Sequence, residues 1–362
     1  LEGVRVVGDC LALSYLEHAS SRLRLTGLDG TVRREIELPT LGSLFGVGVE
    51  PHGDELFYGF SSYTVPPSIY RIDLTEPAAA AELWRRVETD IDPSGYAVQQ
   101  VRYPSKDGTG ISMFVVHRAG LERDGNAPVY LTGYGGFNIS MSPAFSRSLL
   151  LWLEHGGVVA IPNIRGGGEY GEAWHQGGML GTKQNSFDDF IAAAEWLIRE
   201  RYTRAERLAV AGGSNGGLLM GAVLTQRPDL VRAVLVQVPL LDMLRYHLFL
   251  IARLWIPEYG SPDDPEQFRW LRAYSPYHHV RAGTNYPSVL LATAESDTRV
   301  DPMHARKMTA RLQAATASPH PILLRLESRA GHGAGKPLAK VLDELTDTWT
   351  FVFKELGIEV TA

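Results

Sequence analysis

The stretch Leu208-Ala209-Val210-Ala211-Gly212-Gly213-Ser214-Asn215-Gly216-Gly217-Leu218-Leu219-Met220 constrains this chain more than any other. An apolar run enters a glycine-rich turn, and an apolar helical stretch follows at once. A strand that turns directly into a helix leaves no room for side chains at the crossing. Gly212 and Gly216, two residues before and after Ser214, are the small residues such a turn demands. The turn exposes the Ser214 hydroxyl at a helix N-terminus, where the dipole favours developing negative charge, and aims the Asn215 N–H at the same place. A glycine-rich turn with a solvent serine, or a phosphate-binding loop, would use similar residues. No G-x-x-x-x-G-K-[ST] pattern occurs, which counts against the phosphate loop.

The surrounding rhythm agrees with a strand–turn–helix. From about residue 97, apolar runs alternate with helical stretches. Candidate strands are Ile111–His117, Val129–Thr132, Gly157–Pro162, Leu208–Ala211, Ala233–Val238, Val289–Ala294 and Ile322–Leu326. Ser186 is predicted to cap a helix with Asp189 as its partner, and Phe187, Phe190, Ile191, Ala194, Leu197 and Ile198 form one apolar face. Asp301–Ala315 and Pro337–Leu356 also read as helices, the second starting on Pro and stopping at Gly357. The alternation predicts an α/β fold with a doubly wound, mostly parallel sheet over residues 93–362.

Residues 1–92 read differently. Short apolar runs at Val4–Val7, Leu11–Leu16, Leu56–Phe60 and Ile69–Leu74 are separated by turn signals. Asp29-Gly30 lies between Arg22–Leu28 and Thr31–Leu38 as in a hairpin, and His52-Gly53-Asp54 precedes Leu56. Strand quartets fall at Val4–Leu38 and Ser43–Val87, and a spacing of about 40 residues suits propeller blades. A small independent meander is the alternative. Two blades cannot close a propeller, which takes about 4–8, so a partial propeller predicts further blades elsewhere, such as a separate N-terminal fragment.

In α/β-hydrolases the triad runs Ser, acid, His, with the acid and His each on a loop after a strand. Val289–Ala294 is followed by Glu295-Ser296-Asp297-Thr298-Arg299, and Ile322–Leu326 by Ala330-Gly331-His332-Gly333. His332 would take the Ser214 proton, and Asp297 would hold the imidazole tautomer. Glu295 is the competing acid. Of the 11 histidines, His332 stands out for its flanking glycines and its place in the order. The pair His278-His279 has no cysteine or carboxylate cluster beside it and reads as a loop feature, so no metal or cofactor is expected.

Composition excludes several other classes. The net charge of −6 on 362 residues leaves no basic footprint for nucleic acid or a membrane surface. No apolar run reaches the roughly 18 residues that span a bilayer. The single cysteine, Cys10, permits no internal disulfide. The chain opens on Leu1-Glu2-Gly3 with no secretory signal, which suggests a fragment, a processed product or a trimmed chain. A cytoplasmic location is the expectation, with a periplasmic or secreted one open.

Six stretches together resemble the prolyl oligopeptidases: Gly133-Tyr134-Gly135-Gly136-Phe137-Asn138, Arg165-Gly166-Gly167-Gly168-Glu169-Tyr170-Gly171, Gly212-Gly213-Ser214-Asn215-Gly216-Gly217, Gln226-Arg227-Pro228-Asp229-Leu230, Asp297-Thr298-Arg299-Val300 and Gly331-His332-Gly333-Ala334-Gly335-Lys336-Pro337. The resemblance runs in register from about residue 95 to the C-terminus. It implies a hydrolase domain capped by a seven-bladed propeller, and a serine endopeptidase that cuts short peptides after proline. Its triad carries over to Ser214, Asp297 and His332. Its oxyanion hole carries over to the Tyr134 hydroxyl and the Asn215 N–H. Its proline-stacking tryptophan is Trp255, its other pocket walls are Phe137, Leu240, Tyr259 and Val300, and its carbonyl-binding arginine is Arg299.

The chain departs from the family in three places. Ala294-Glu295 replaces the usual Gly-Asp, Leu240 replaces the usual valine, and Ile256-Pro257-Glu258 replaces the usual Thr-Thr-Asp. An oligopeptidase or exopeptidase of other specificity is the nearest alternative. Cutting after basic residues needs an acid in the pocket, and Glu258 is the one nearby candidate. An esterase or lipase, a peptide macrocyclase, and a catalytically silent binding module are the others.

Overall fold

The computed structural model describes residues 1–49, 53–76, 79–89, 92–328, 330–333 and 335–359. Its N-terminal strands form two separate antiparallel meanders. One holds β1 (Gly3–Val7), β2 (Cys10–Glu17), β3 (Ser20–Gly27) and β4 (Val32–Ile36) in order. The other holds β5 (Ser43–Val49), β6 (Glu55–Ser61), β7 (Ser68–Asp73) and β8 (Glu82–Arg86). These are the two expected quartets. The Asp29-Gly30 turn joins β3 to β4: Gly30 takes φ 87°, and Asp29 Oδ1 accepts from the Thr31 N–H at 3.0 Å. His52, named in the second turn signal, lies outside the described residues.

The remaining strands form one sheet. They are β9 (Tyr96–Pro104), β10 (Gly110–Arg118), β11 (Val129–Thr132), β12 (Val158–Pro162), β13 (Leu208–Gly213), β14 (Ala233–Gln237), β15 (Ser288–Ala294) and β16 (Ile322–Glu327). Their order is β16-β15-β14-β13-β11-β12-β10-β9. Every pair from β16 to β12 is parallel, and the pairs β12–β10 and β10–β9 are antiparallel. The chain steps one way from β11 to β12 and the other way from β13 onward. That reversal opens a crevice beyond the C-terminal ends of β11 and β13, the place where open α/β sheets bind ligands.

The helices α1 (Arg147–Glu154), α2 (Glu172–Gln176), α3 (Gln184–Arg199), α4 (Asn215–Gln226), α5 (Ile256–Tyr259), α6 (Pro265–Tyr274), α7 (Pro276–His279), α8 (Met303–Ala315) and α9 (Leu338–Glu355) connect the strands. Side chains of β13 alternate between two cores, as strand geometry requires. Leu208 and Val210 enter the core shared with α3, α4 and α8. Ala209 and Ala211 enter the core shared with α1 and α9. Their small size suits the aromatic stack there, with Trp152 centred 5.5 Å from Trp349 and 5.7 Å from Phe353.

One capping expectation is overturned. α3 begins at Gln184, two residues before Ser186, and has no side-chain cap. Ser186 is buried, and its hydroxyl lies 2.7 Å from the Arg165 carbonyl and 3.2 Å from that of Gly178. Asp189 is committed to Arg165, which reaches its two oxygens through Nε and a terminal nitrogen. Tertiary partners took both side chains away from the helix end.

The N-terminal sheets rest against the larger one. Tyr63 packs edge-on against Phe114 at 5.6 Å, the Phe145 N–H reaches Ser61 Oγ at 3.3 Å, and Gln100 donates to the His18 carbonyl at 2.6 Å. No helix among the described residues is long and apolar enough to cross a membrane.

Candidate active site

Ser214 stands between β13 and α4 with φ 57° and ψ −117°. This is a strained conformation for a residue with a side chain, and such outliers collect at functional sites. Hydrogen bonds hold it on both sides: its N–H reaches the Gln237 carbonyl at 2.9 Å, and its own carbonyl accepts from Gly217 and Leu218. A Cβ on Gly212 would lie 2.4 Å from the Gly216 carbonyl oxygen, and one on Gly216 would lie 2.8 Å from the Gly133 oxygen. The two flanking glycines are therefore steric necessities. Gly213 is not, since its nearest neighbours would be 3.7 Å away.

Asp297 lies on the loop after β15 and His332 on the loop after β16. The loops are tied together by the Ser296 N–H, which bonds to the Ala330 carbonyl at 3.2 Å. Asp297 Oδ2 lies 2.7 Å from His332 Nδ1. Its Oδ1 accepts from the backbone N–H groups of Arg299 and Val300 at 2.8 and 2.9 Å. Burial alone would raise this carboxyl, but the bonds from His332, Val300 and Arg299 outweigh it, and its pKa falls below the usual carboxylate value. An ionised carboxylate only accepts, so Nδ1 carries a proton, and in the neutral imidazole Nε2 is then the nitrogen with the free lone pair. Glu295, the competing acid, is exposed. Among the described residues no hydrogen bond joins Ser214 to His332, whose bonded partner is Asp297.

The two oxyanion candidates flank the serine. As the first residue of α4, Asn215 has an N–H with no acceptor inside the helix. Its buried side chain bridges the loop after β11, donating to the Tyr134 carbonyl at 2.6 Å and accepting from the Tyr259 hydroxyl at 2.9 Å. Burial raises the Tyr134 phenol above its ordinary value. A hydrogen bond with Ser214 and the charge of Arg299 oppose the rise, and Glu258 adds to it. The phenol thus stays protonated at neutral pH and is available as a donor beside Ser214.

The candidate pocket walls belong to the large hydrophobic core on the α3, α4 and α8 side of the sheet. Leu240, Trp255, Tyr259 and Val300 are buried in it, and Phe137 packs against it. Phe137 meets Tyr259 edge-on at 5.5 Å. Arg299 is exposed and forms no ion pair with Asp301 or Glu295 among the described residues. His278 and His279 are used locally, on Ser275 Oγ and the Arg272 carbonyl, each at 2.9 Å. Among the described residues no group of three or more His, Cys, Asp or Glu side chains is placed to hold a metal.

Sequence reasoning named Glu258 only as a possible substrate contact and did not name Lys183 or His175. The structure buries Glu258 and occupies both its oxygens. Oε1 accepts from the Phe137 N–H at 2.8 Å, and Oε2 lies 2.8 Å from His175 Nε2. Lys183 Nζ sits 3.9 Å from Oε1. Nothing local in the sequence links residues so far apart along the chain.

Two family descriptions match this chain. The N-terminal β-propeller domain of prolyl oligopeptidases matches residues 1–83, and the prolyl oligopeptidase family matches residues 143–359. The chain belongs to the prolyl oligopeptidase family. Within it, the prolyl endopeptidase of Elizabethkingia miricola is 43% identical over 347 residues, covering 96% of this chain and 49% of that protein. The prolyl endopeptidase of Dictyostelium discoideum is 42% identical over 357 residues, covering 96% and 46%. A solved prolyl endopeptidase structure superposes with a TM-score of 0.92 at 50% identity, over 99% of this chain and 52% of that one. Prolyl oligopeptidase B from Galerina marginata, bound to a 35mer hydrolysis and macrocyclization substrate, superposes with a TM-score of 0.93 at 35% identity, over 100% and 52%. The chain spans about half the length of the curated relatives it matches. In prolyl oligopeptidase terms, the two meanders are propeller blades and the large sheet is the α/β-hydrolase sheet.

Proposed function

We propose that this chain carries the active site of a serine endopeptidase that cleaves short peptides after proline, with residues 1–92 as propeller blades and 93–362 as the catalytic domain. Ser214 Oγ attacks the scissile carbonyl while His332 Nε2 takes its proton. Asp297 holds the proton on Nδ1 and stabilises the imidazolium. The Tyr134 hydroxyl and the Asn215 N–H donate to the oxyanion, where such donors act most strongly. His332 then returns the proton to the leaving amine, and water, activated in the same way, releases the acyl group. The Ser214–His332 bond must close for this step. Catalytic hydrogen bonds commonly tighten only once substrate is bound.

The occupied carboxylate of Glu258 is the observation that carries the specificity. A pocket for Arg or Lys needs a free acid. Glu258 already accepts from Phe137 and pairs with His175, which leaves an apolar, aromatic surround suited to a pyrrolidine ring. Trp255 would stack on that ring and Leu240, Val300, Phe137 and Tyr259 would enclose it, while Arg299, exposed and without an ion pair among the described residues, would take the preceding peptide carbonyl. The partners are therefore short proline-containing peptides, together with the further blades that a closed propeller requires. The intact mass of the purified protein tests whether those blades come on a second polypeptide. The lone Cys10 fits a reducing, cytoplasmic compartment. The test of specificity is kcat/KM on matched Gly-Pro and Gly-Arg anilides. The proline substrate is expected to be favoured by at least about 100-fold, and an arginine preference would overturn the reading.

A further inference from the structure

Three buried polar side chains from three separate elements close on the backbone of the loop that carries Tyr134. Asn215 donates to the carbonyl of Tyr134 at 2.6 Å. Lys183, at the entry to α3, donates to the carbonyl of Gly135 at 2.6 Å. Glu258, on α5, accepts from the N–H of Phe137 at 2.8 Å. The loop needs such support. Gly135, Phe137 and Asn138 have φ of 64°, 57° and 58°, and the two that carry side chains are in a region ordinarily disfavoured for them. The loop is also pressed against the residue after the nucleophile: a Cβ on Gly136 would lie 2.5 Å from Asn215 Nδ2. A small shift of Gly135 or Phe137 is therefore passed directly to the Tyr134 ring.

The charges in this clamp are buried. Lys183 and Glu258 side chains are 1% and 6% exposed. Replacing a buried ion pair with apolar side chains is often neutral or favourable, so net stability alone does not account for the pair. Its directions do. Of the three Lys183 hydrogens, one is spent on Gly135, and the charge lies 3.9 Å from Glu258 and 5.8 Å from the centre of the Tyr259 ring. Glu258 divides its oxygens between the Phe137 loop and His175 on α2. It also sits on the same short helix as Tyr259, a helix that begins directly after Trp255. One carboxylate thus sets the distance between the Tyr134–Phe137 loop and the Trp255–Tyr259 segment.

We propose that the buried Lys183–Glu258 pair is a positioning device for the oxyanion tyrosine, fixing the backbone of Gly135 and Phe137 so that Tyr134 presents its hydroxyl beside Ser214. The inference rests on the reading of Ser214 as nucleophile and Tyr134 as oxyanion donor. Neither Lys183 nor Glu258 touches substrate; both act through the loop.

The test is a double-mutant cycle between Lys183→Met and Tyr134→Phe in the full chain, read as kcat and KM on a Gly-Pro anilide. The same cycle is read as the rate of fluorophosphonate labelling of Ser214, which does not depend on which peptide is cut. Lys183→Met is expected to lower kcat and labelling about 10- to 100-fold with KM changed less than about threefold, because misplacement of a donor acts in the transition state. In the Tyr134→Phe background, the same substitution is expected to cost less than about threefold more, since an absent hydroxyl cannot be misplaced. Equal losses in both backgrounds, or no loss from Lys183→Met, would overturn the proposal. If Lys183→Met does not fold, Glu258→Gln enters the same cycle with the same two outcomes. Failure on proline substrates with a non-additive labelling cycle sinks the substrate reading and leaves this one standing. Failure to label at Ser214 in the unmutated chain sinks both.

Discussion

Replacing Asp297 by Asn isolates the tautomer argument, because the structure fixes which way the new amide must face. Asp297 Oδ1 accepts two backbone N–H groups, from Arg299 and Val300, at 2.8 and 2.9 Å. The asparagine oxygen has to stay there. The reverse orientation would set an NH2 against two N–H donors and leave the buried one, from Val300, unsatisfied at about 1–3 kcal/mol. The amide NH2 therefore faces His332 Nδ1, where the carboxylate oxygen stood at 2.7 Å. It can only donate, so Nδ1 becomes the acceptor and the proton moves to Nε2. An imidazole protonated on Nε2 cannot take the serine proton. The same exchange in a chymotrypsin-like triad lowers kcat by about 10⁴, equivalent to about 5.4 kcal/mol of transition-state stabilisation. We expect a loss of that order here, with KM within about threefold and a melting temperature within a few degrees of the parent, since both backbone donors stay satisfied. Steady-state hydrolysis at pH 7–8 and a thermal melt measure both. Retention of activity within about tenfold, with the fold intact, would refute the assignment of Asp297 as the group that orients His332.

Other expectations follow from different parts of the structure. Gly212→Ala is expected to abolish soluble folded protein or Ser214 labelling, because its methyl would lie 2.4 Å from the Gly216 carbonyl oxygen, whereas Gly213→Ala, with 3.7 Å of clearance, leaves both intact. Similar behaviour of the two would contradict the steric account of the turn. His304 is buried, and burial pulls its pKa from 6.5 down to about 4, against the opposing charges of Asp242 and Asp301. Its neutral Nδ1 accepts from the Leu241 and Asp242 N–H groups at 3.3 and 3.1 Å. Between those pH values the unfolded chain binds the proton that the folded chain refuses, so this contribution to stability is complete above pH ~6.5 and is lost as pH falls toward 4, by on the order of 3 kcal/mol. Denaturant unfolding at pH 7 and 4.5 is expected to show a smaller difference in His304→Asn, whose oxygen accepts without titrating; an unchanged difference counts against it. Trp255→Leu keeps an apolar side chain but removes the ring. It is expected to lower kcat/KM on a proline substrate about 3- to 10-fold, the worth of a ring stack, relative to a matched alanine substrate, and an equal loss on both would assign Trp255 to packing alone.

Much of the fold was legible because burial imposes period and punctuation. The parallel strands are nearly continuous apolar runs, and the two meanders announce themselves through strand quartets and the Asp29-Gly30 turn. The strand Tyr96–Pro104 escapes the pattern because its centre, Val98-Gln99-Gln100-Val101, is partly polar; it is the sheet's antiparallel edge, mostly half-buried, with Gln100 turned to the His18 carbonyl. The helix Pro265–Tyr274 was missed although Asp264 caps it and Pro starts it. Ser186 was misplaced because a capping box is a local signal, and the Arg165 loop claimed both of its side chains. The serine turn and the strand order of the acid and histidine are properties of short segments and could be read directly. The Lys183–Glu258–His175 clamp is not, because it exists only where α2, α3 and α5 converge on one loop.

The central claim is that Ser214 is a nucleophile activated by His332 and Asp297. The most direct measurement is the intact mass of the protein after a fluorophosphonate, followed by peptide mapping, with Ser214→Ala alongside. One adduct on the peptide containing Ser214, absent in Ser214→Ala and strongly slowed in His332→Ala, is the expected result. An unmodified protein, or an adduct that persists when Ser214 is replaced, would contradict it.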